Sequence, residues 1–145
     1  MNRDQLSGRC LCGQTRYCVT GEPLWVAHCH CESCRRATAA AFATYVGFPA
    51  AAVRWSAAEP GQFSSSPGVL RRFCTHCGSP MSYQSERWPD EIHLFAATFD
   101  DPAAFAPQVH VYAGEQLPWV RLADGLPRYA ATPEEGPPLV PSRSA

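Results

Sequence analysis

The chain has 145 residues, enough for one domain that buries roughly 68–70% of the surface its unfolded form would expose. Twelve Arg, no Lys and thirteen acidic residues leave a formal charge of −1, which removes the electrostatic footprint that nucleic acid or an acidic membrane surface demands. Residues 1–8 are polar without an apolar h-region, and no stretch approaches the ~20 apolar residues that span a bilayer, so no membrane association and a cytoplasmic location are expected.

Residues 15–20, Thr-Arg-Tyr-Cys-Val-Thr, alternate as a strand with Tyr17 and Val19 on one face and Cys18 on the other. Gly21-Glu22-Pro23 turns the chain into a second strand over 24–27. The spacing then predicts a short helix over 32–41, with Arg35, Arg36 and an alanine run, followed by a strand over 42–48. Residues 53–55, 62–64 and 69–73 are short strand candidates separated by Glu59-Pro60-Gly61 and Ser66-Pro67-Gly68 turns. Residues 81–84, 92–97 and 109–112 complete the apolar segments, and Asp101-Pro102 opens one helical turn over 101–105, with Asp as cap and Pro at the first position. The class is mainly β. Residues 1–131 are expected to form a single domain, and 132–145, rich in Pro, Ser, Glu and Ala, a disordered tail.

Seven of the eight cysteines fall in three clusters: Cys10 and Cys12, then Cys29, Cys31 and Cys34, then Cys74 and Cys77. In a reducing compartment such spacing favours metal over disulfides. Thiolates one or two residues apart can wrap a tetrahedral zinc ion at about 2.3 Å per bond, and two such pairs close a four-sulfur site. Cys10, Cys12, Cys74 and Cys77 therefore predict one structural zinc, and Gly13 and Gly78, directly after each pair, suit the left-handed turn of a metal knuckle. Cys29, Cys31 and Cys34 remain as three ligands for a second zinc, with the fourth position open as in catalytic sites, or closed by His28 or His30 as in structural ones. These three cysteines sit where a strand enters a helix, a place that favours thiolate. Two zinc ions per chain are expected.

Arg35 and Arg36 follow this cluster and suit a substrate carboxylate, since a guanidinium fork matches that group; a solvated helix face is the other reading. Cys18 is expected to be a small buried hydrophobe. His76 should point away from the metal, His93 and His110 should be structural, and Asp100 and Asp101 should serve turns and caps.

Taken together, Gly8-Arg9-Cys10-Leu11-Cys12-Gly13, Cys29-His30-Cys31-Glu32-Ser33-Cys34-Arg35-Arg36 and Phe73-Cys74-Thr75-His76-Cys77-Gly78-Ser79 resemble the glutathione-dependent formaldehyde-activating enzyme and centromere protein V family. The resemblance runs on through Asp100-Asp101-Pro102 and Leu117-Pro118-Trp119, covering about 6–129. Ala39 stands where relatives commonly carry Gly. The resemblance implies a β-tent of small antiparallel sheets pinned by zinc, the same partition of the seven cysteines between a structural and a second zinc, and carbon–sulfur lyase activity. In the formaldehyde enzyme that activity joins glutathione and formaldehyde as S-hydroxymethylglutathione. The function expected is a zinc-dependent lyase acting on a small thiol or aldehyde adduct, with glutathione as possible cosubstrate and Cys29, Cys31 and Cys34 acting through the second zinc. The alternative is a noncatalytic zinc module that binds a protein or small molecule.

Overall fold

The computed structural model describes residues 5–139. In chain order the strands are β1 (Gln5–Arg9), β2 (Thr15–Thr20), β3 (Trp25–Cys29), β4 (Ala43–Pro49), β5 (Val53–Ala57), β6 (Gly61–Ser66), β7 (Val69–Phe73), β8 (Pro80–Ser85), β9 (Glu91–Phe95) and β10 (Val109–Val111), with one α-helix, α1 (Glu32–Thr38), between β3 and β4. The chain is thus mainly β, as its alternating patterns predict. The described residues form two compact units, one built from 5–26 and 45–106 and the other from 27–44 and 107–139, with the chain passing between them within β3, within β4 and after Ala106.

In the first unit, β1, β2 and β5 form a three-stranded antiparallel sheet in that order, and a second antiparallel run follows the order β4-β9-β8-β7-β6. Tyr17 and Val19 point inward from β2 into a core that also holds Cys10, Val46, Phe48, Cys74, Met81 and Leu94. Tyr17 anchors it: the ring meets Trp55 and Phe99 edge-on, with centroids 5.7 and 5.2 Å away, and its hydroxyl pairs with that of Thr98 at 2.7 Å. Strand β1 was not among the expected strands, because Leu6 is its one large apolar side chain. Its place follows from Gly8, which lies opposite Tyr17 and has no Cβ to obstruct the ring. Cys18, expected to be buried, is only half-buried; it lies on the opposite face of β2, between Ser7 and Arg54 in the register.

In the second unit, β10 runs parallel to β3, setting His110 beside His28 and Val111 beside Cys29. The helix ends at Thr38, three residues before the expected limit, and Ala39 caps it with a φ of 54° in the left-handed conformation. Residues 132–139, placed by composition in a disordered tail, instead carry a 3-10 turn at Pro133–Glu135. Backbone pairing, rather than apolar burial, stitches this end down: Tyr112 N–H donates to Ala131 O, Leu139 N–H to Arg128 O, and Thr132 N–H to the Glu135 carboxylate. Residues 140–145 of that expected tail lie outside the described residues. The helical turn expected over 101–105 is a 3-10 turn at Pro102–Ala104 whose Asp101 side chain makes no cap bond. Asp100 instead accepts the Ser7 hydroxyl at 2.6 Å and ties β1 to this segment.

Candidate metal centres

Cys10 and Cys12 leave the end of β1, and Cys74 and Cys77 leave the end of β7, both within the first unit. Their four sulfurs lie within 4.8 Å of one another. Cys10 and Cys12 Sγ are 3.5 Å apart, and Cys12 and Cys74 Sγ 3.8 Å; a tetrahedron with 2.3 Å arms has edges of about 3.8 Å. The donor set and its spacing fit zinc. Each turn is built as a knuckle. Gly13 and Gly78 take φ of 80° and 78°, which lets the Gly13 N–H bond back to Cys10 O and the Gly78 N–H to Cys74 O. Main-chain N–H groups of Thr15 reach Cys10 Sγ, and those of His76 and Cys77 reach Cys74 Sγ, at 3.3–3.4 Å. Such donors favour thiolate over thiol. The Ser79 hydroxyl, 3.1 Å from Cys77 Sγ, does the same and holds that thiol down at about 5. Ser79 was not singled out in the sequence, although a hydroxyl two residues after a ligand is a usable signal.

Cys29, Cys31 and Cys34 converge in the second unit, again within 4.8 Å. Cys29 ends β3, Cys31 caps α1 and Cys34 lies one turn inside it. Cys29 and Cys34 Sγ are 3.7 Å apart, and the Cys34 N–H donates to Cys31 Sγ at 3.3 Å. Hydrogen bonds from the Cys29 and Cys34 thiols push Cys31 down to about 2, and the same sharing with Cys31 drives Cys29 far up. The Cys34 N–H aimed at Cys31 Sγ likewise favours thiolate there. None of the eight cysteines is in a disulfide, so each of the seven clustered sulfurs can serve as a ligand.

Among the described residues no histidine or carboxylate joins this trio. His28 on β3 and His30 just beyond its end alternate with Cys29 and Cys31 along the chain, and their rings pack with Phe42 and His110. His28 Nδ1 lies 2.7 Å from the Thr44 hydroxyl. His30 Nε2 lies 2.9 Å from His110 Nδ1, whose Nε2 meets Asp124 at 2.7 Å. Because a carboxylate only accepts, neutral rings in this chain have His110 donating from Nε2 and His30 donating from Nε2. Burial, reinforced by His110, Arg128, His28 and Arg35, lowers His30 to about 4 and keeps it neutral at pH 7. His110 thus sits within a buried relay that the sequence does not reveal. His93 is likewise held by Glu91 at 2.9 Å between the rings of Trp25 and Tyr83.

The two arginines differ. Arg36 forms an i,i+4 pair with Glu32 at 2.9 Å, with its side chain 80% exposed. Arg35 instead donates through Nε to His30 O at 3.1 Å and through Nη2 to Glu115 O at 3.2 Å.

A family model described as "Glutathione-dependent formaldehyde-activating enzyme" matches residues 5–115. A Halomonas elongata protein named "Putative glutathione-dependent formaldehyde-activating enzyme" is 29% identical over 127 residues, an alignment that spans 81% of this chain and 80% of that one. The crystal structure of a Rhodobacter sphaeroides protein superposes with a TM-score of 0.56 at 22% identity, covering 65% of this chain and 87% of that one, and so shares the fold.

Proposed function

Because the chain belongs to the glutathione-dependent formaldehyde-activating enzyme family, we propose that it is a zinc-dependent carbon–sulfur lyase that joins a small thiol, glutathione first among them, to formaldehyde and cleaves the adduct in reverse. The observation that carries this reading is the trio Cys29, Cys31 and Cys34, three sulfurs at metal-binding spacing with His28 and His30 engaged elsewhere. That set matches the three-ligand, open-position pattern of catalytic zinc rather than a closed structural site. A zinc held there supplies Lewis acidity and one coordination position for a thiolate or carbonyl oxygen. In the forward direction the thiol sulfur bonds to the aldehyde carbon, the C=O π bond breaks, and the thiol proton ends on the oxygen.

The chain's own contribution is placement. The Cys34 N–H and the neighbouring thiols hold Cys31 as thiolate, and the β3–α1 corner keeps the three sulfurs together. Of the two candidate substrate-binding arginines, Arg36 takes a thiol substrate's carboxylate, since its terminal nitrogens extend from an exposed helix face. Cys10, Cys12, Cys74 and Cys77 hold the structural ion. Eight cysteines outside any disulfide suit the reducing cytoplasm, and among the described residues no helix is long and apolar enough to cross a membrane.

The test is exchange NMR on glutathione and formaldehyde at equilibrium. Zinc-loaded protein should raise the exchange rate between free glutathione and its hydroxymethyl adduct without changing their ratio, and Cys31→Ser should abolish the effect. Protein carrying metal at both clusters that leaves the exchange rate at its spontaneous value would defeat the proposal.

A further inference from the structure

The second trio draws its sulfurs from two elements, Cys29 from β3 and Cys34 from α1, with Cys31 at the joint, so the triangle keeps its shape only if the helix leaves the strand at a fixed angle. Besides the Cys34 N–H bond to Cys31 Sγ and the His30 N–H bond to Val111 O, three hydrogen bonds made by Arg35 or Glu115 brace that angle. Arg35 Nε donates to His30 O, the carbonyl between Cys29 and Cys31, at 3.1 Å. Arg35 Nη2 donates to Glu115 O at 3.2 Å. The Glu115 carboxylate closes the loop by accepting the Glu32 N–H, the first of α1, at 3.2 Å. Glu115 is itself held by the 3-10 turn Ala113–Glu115, whose Ala113 and Gly114 N–H groups bond to Tyr129 O and Ala130 O.

We propose that Arg35 and Glu115 are positioning residues for the second metal centre: a guanidinium strut and a carboxylate cap that hold the Cys29–Cys31–Cys34 triangle at metal-binding size. The guanidinium reaches the two carbonyls from two different nitrogens, Nε and Nη2; a lysine ammonium carries its three donors on one nitrogen and does not reproduce that span. Outer-shell partners of metal ligands are typically worth about 10- to 100-fold in metal affinity. The inference rests on the proposed metal reading of this trio and adds to it the residues that give the trio its affinity.

The experiment titrates zinc-loaded full-length protein with a chromophoric chelator and reads ions released per chain. Wild-type protein should release its two zinc ions in two steps, the weaker from the Cys29 trio. Arg35→Lys and Arg35→Ala should move the weaker step to about 10- to 100-fold lower chelator strength and leave the tighter step unchanged. Glu115→Ala should do the same, while Glu115→Gln, which keeps a side-chain oxygen acceptor, should restore the wild-type curve. Cobalt in the second centre gives an independent reading, as its thiolate charge-transfer band should weaken in Arg35→Lys and in Glu115→Ala and keep its wild-type strength in Glu115→Gln. If both steps are unmoved in Arg35→Lys and Glu115→Ala, the positioning role is overturned while the metal reading stands. If wild-type protein releases one ion only, the metal reading fails and the positioning role with it. Should Arg35→Ala not fold, the Glu115→Ala and Glu115→Gln pair decides the matter alone.

Discussion

Three small residues, Gly8, Gly78 and Ala39, sit where a single methyl group decides stability, each for a different reason. At Gly8 an added Cβ would stand 2.3 Å from the Tyr17 ring and 2.6 Å from the Thr98 carbonyl oxygen. Because one obstacle is backbone and the other a fully buried ring, neither can move cheaply, and Gly8→Ala should cost about 1–3 kcal/mol or more. Gly78 has open space around it but a φ of 78°, so Gly78→Ala should cost about 1–2 kcal/mol, from the left-handed backbone alone. At Ala39 the same logic reverses. With φ at 54° the native residue carries the left-handed penalty, and Ala39→Gly should stabilise the protein by up to about 1 kcal/mol despite the extra freedom of the unfolded chain. Denaturant melts of the zinc-loaded variants check all three, and a destabilised Ala39→Gly would refute the capping account. Tyr17 adds a pH signature. Burial pushes its phenol well above the usual 10, with the Thr98 hydroxyl opposing and the Asp100 charge adding to the rise. A folded-state value above the unfolded one means the unfolded chain gives up the proton first, so this contribution is intact below about pH 10 and is lost as pH climbs beyond it. Tyr17→Phe should lose about 0.5–1.5 kcal/mol at pH 7 with the Thr98 bond but show a flatter decline in stability between pH 9 and about 11. Parallel slopes for the two proteins would place the alkaline sensitivity elsewhere.

Among the elements, what the sequence displayed was whatever depended on side-chain pattern. The alternation of Tyr17 and Val19 locates β2, the apolar runs locate β3, β4, β8 and β9, and the cysteine spacings separate four sulfurs from three, the same two groups that the fold brings together. Elements that depend on backbone partners left no such trace. Strand β1 is defined by its ladder to β2 and by a glycine that yields to Tyr17, and the turn at Pro133–Glu135 by main-chain bonds of its neighbourhood to 110–131. The helix was visible but its limit was not, because an alanine run propagates helix by propensity and only the left-handed backbone at Ala39 stops it. Arginine after a ligand cluster suggests charge recognition, yet Arg35 spends two of its donors on carbonyls, one of them 80 residues away at Glu115. The same long separation hid the His30–His110–Asp124 relay. Position along the chain says nothing of such partners until β10 is laid beside β3.

Over the whole molecule, the two cysteine clusters belong to different compact units, and this predicts two distinct modes of failure. The four-sulfur cluster joins the end of β1 to the end of β7, and Cys10 and Cys74 are themselves part of the buried core that contains Tyr17, Phe48 and Leu94. A closed zinc site contributes an apparent ~10–16 kcal/mol to small metal-dependent folds, as much as the roughly 5–15 kcal/mol net stability of a typical domain. Cys74→Ser should therefore leave the protein largely unfolded or insoluble. The trio spans only six residues of sequence and fixes one strand-to-helix corner, a closure that saves little chain entropy. Cys31→Ser should accordingly bind one zinc fewer, keep a cooperative melt and retain protection from hydrogen exchange in β2, β8 and β9, with losses confined to 27–44 and 107–139. Mass-resolved hydrogen exchange on the two variants reads the contrast directly. A Cys74→Ser protein with a normal melt and full zinc content would show that the four-sulfur cluster does not hold the first unit together, and global loss of protection in Cys31→Ser would show that the trio does more than shape a local corner.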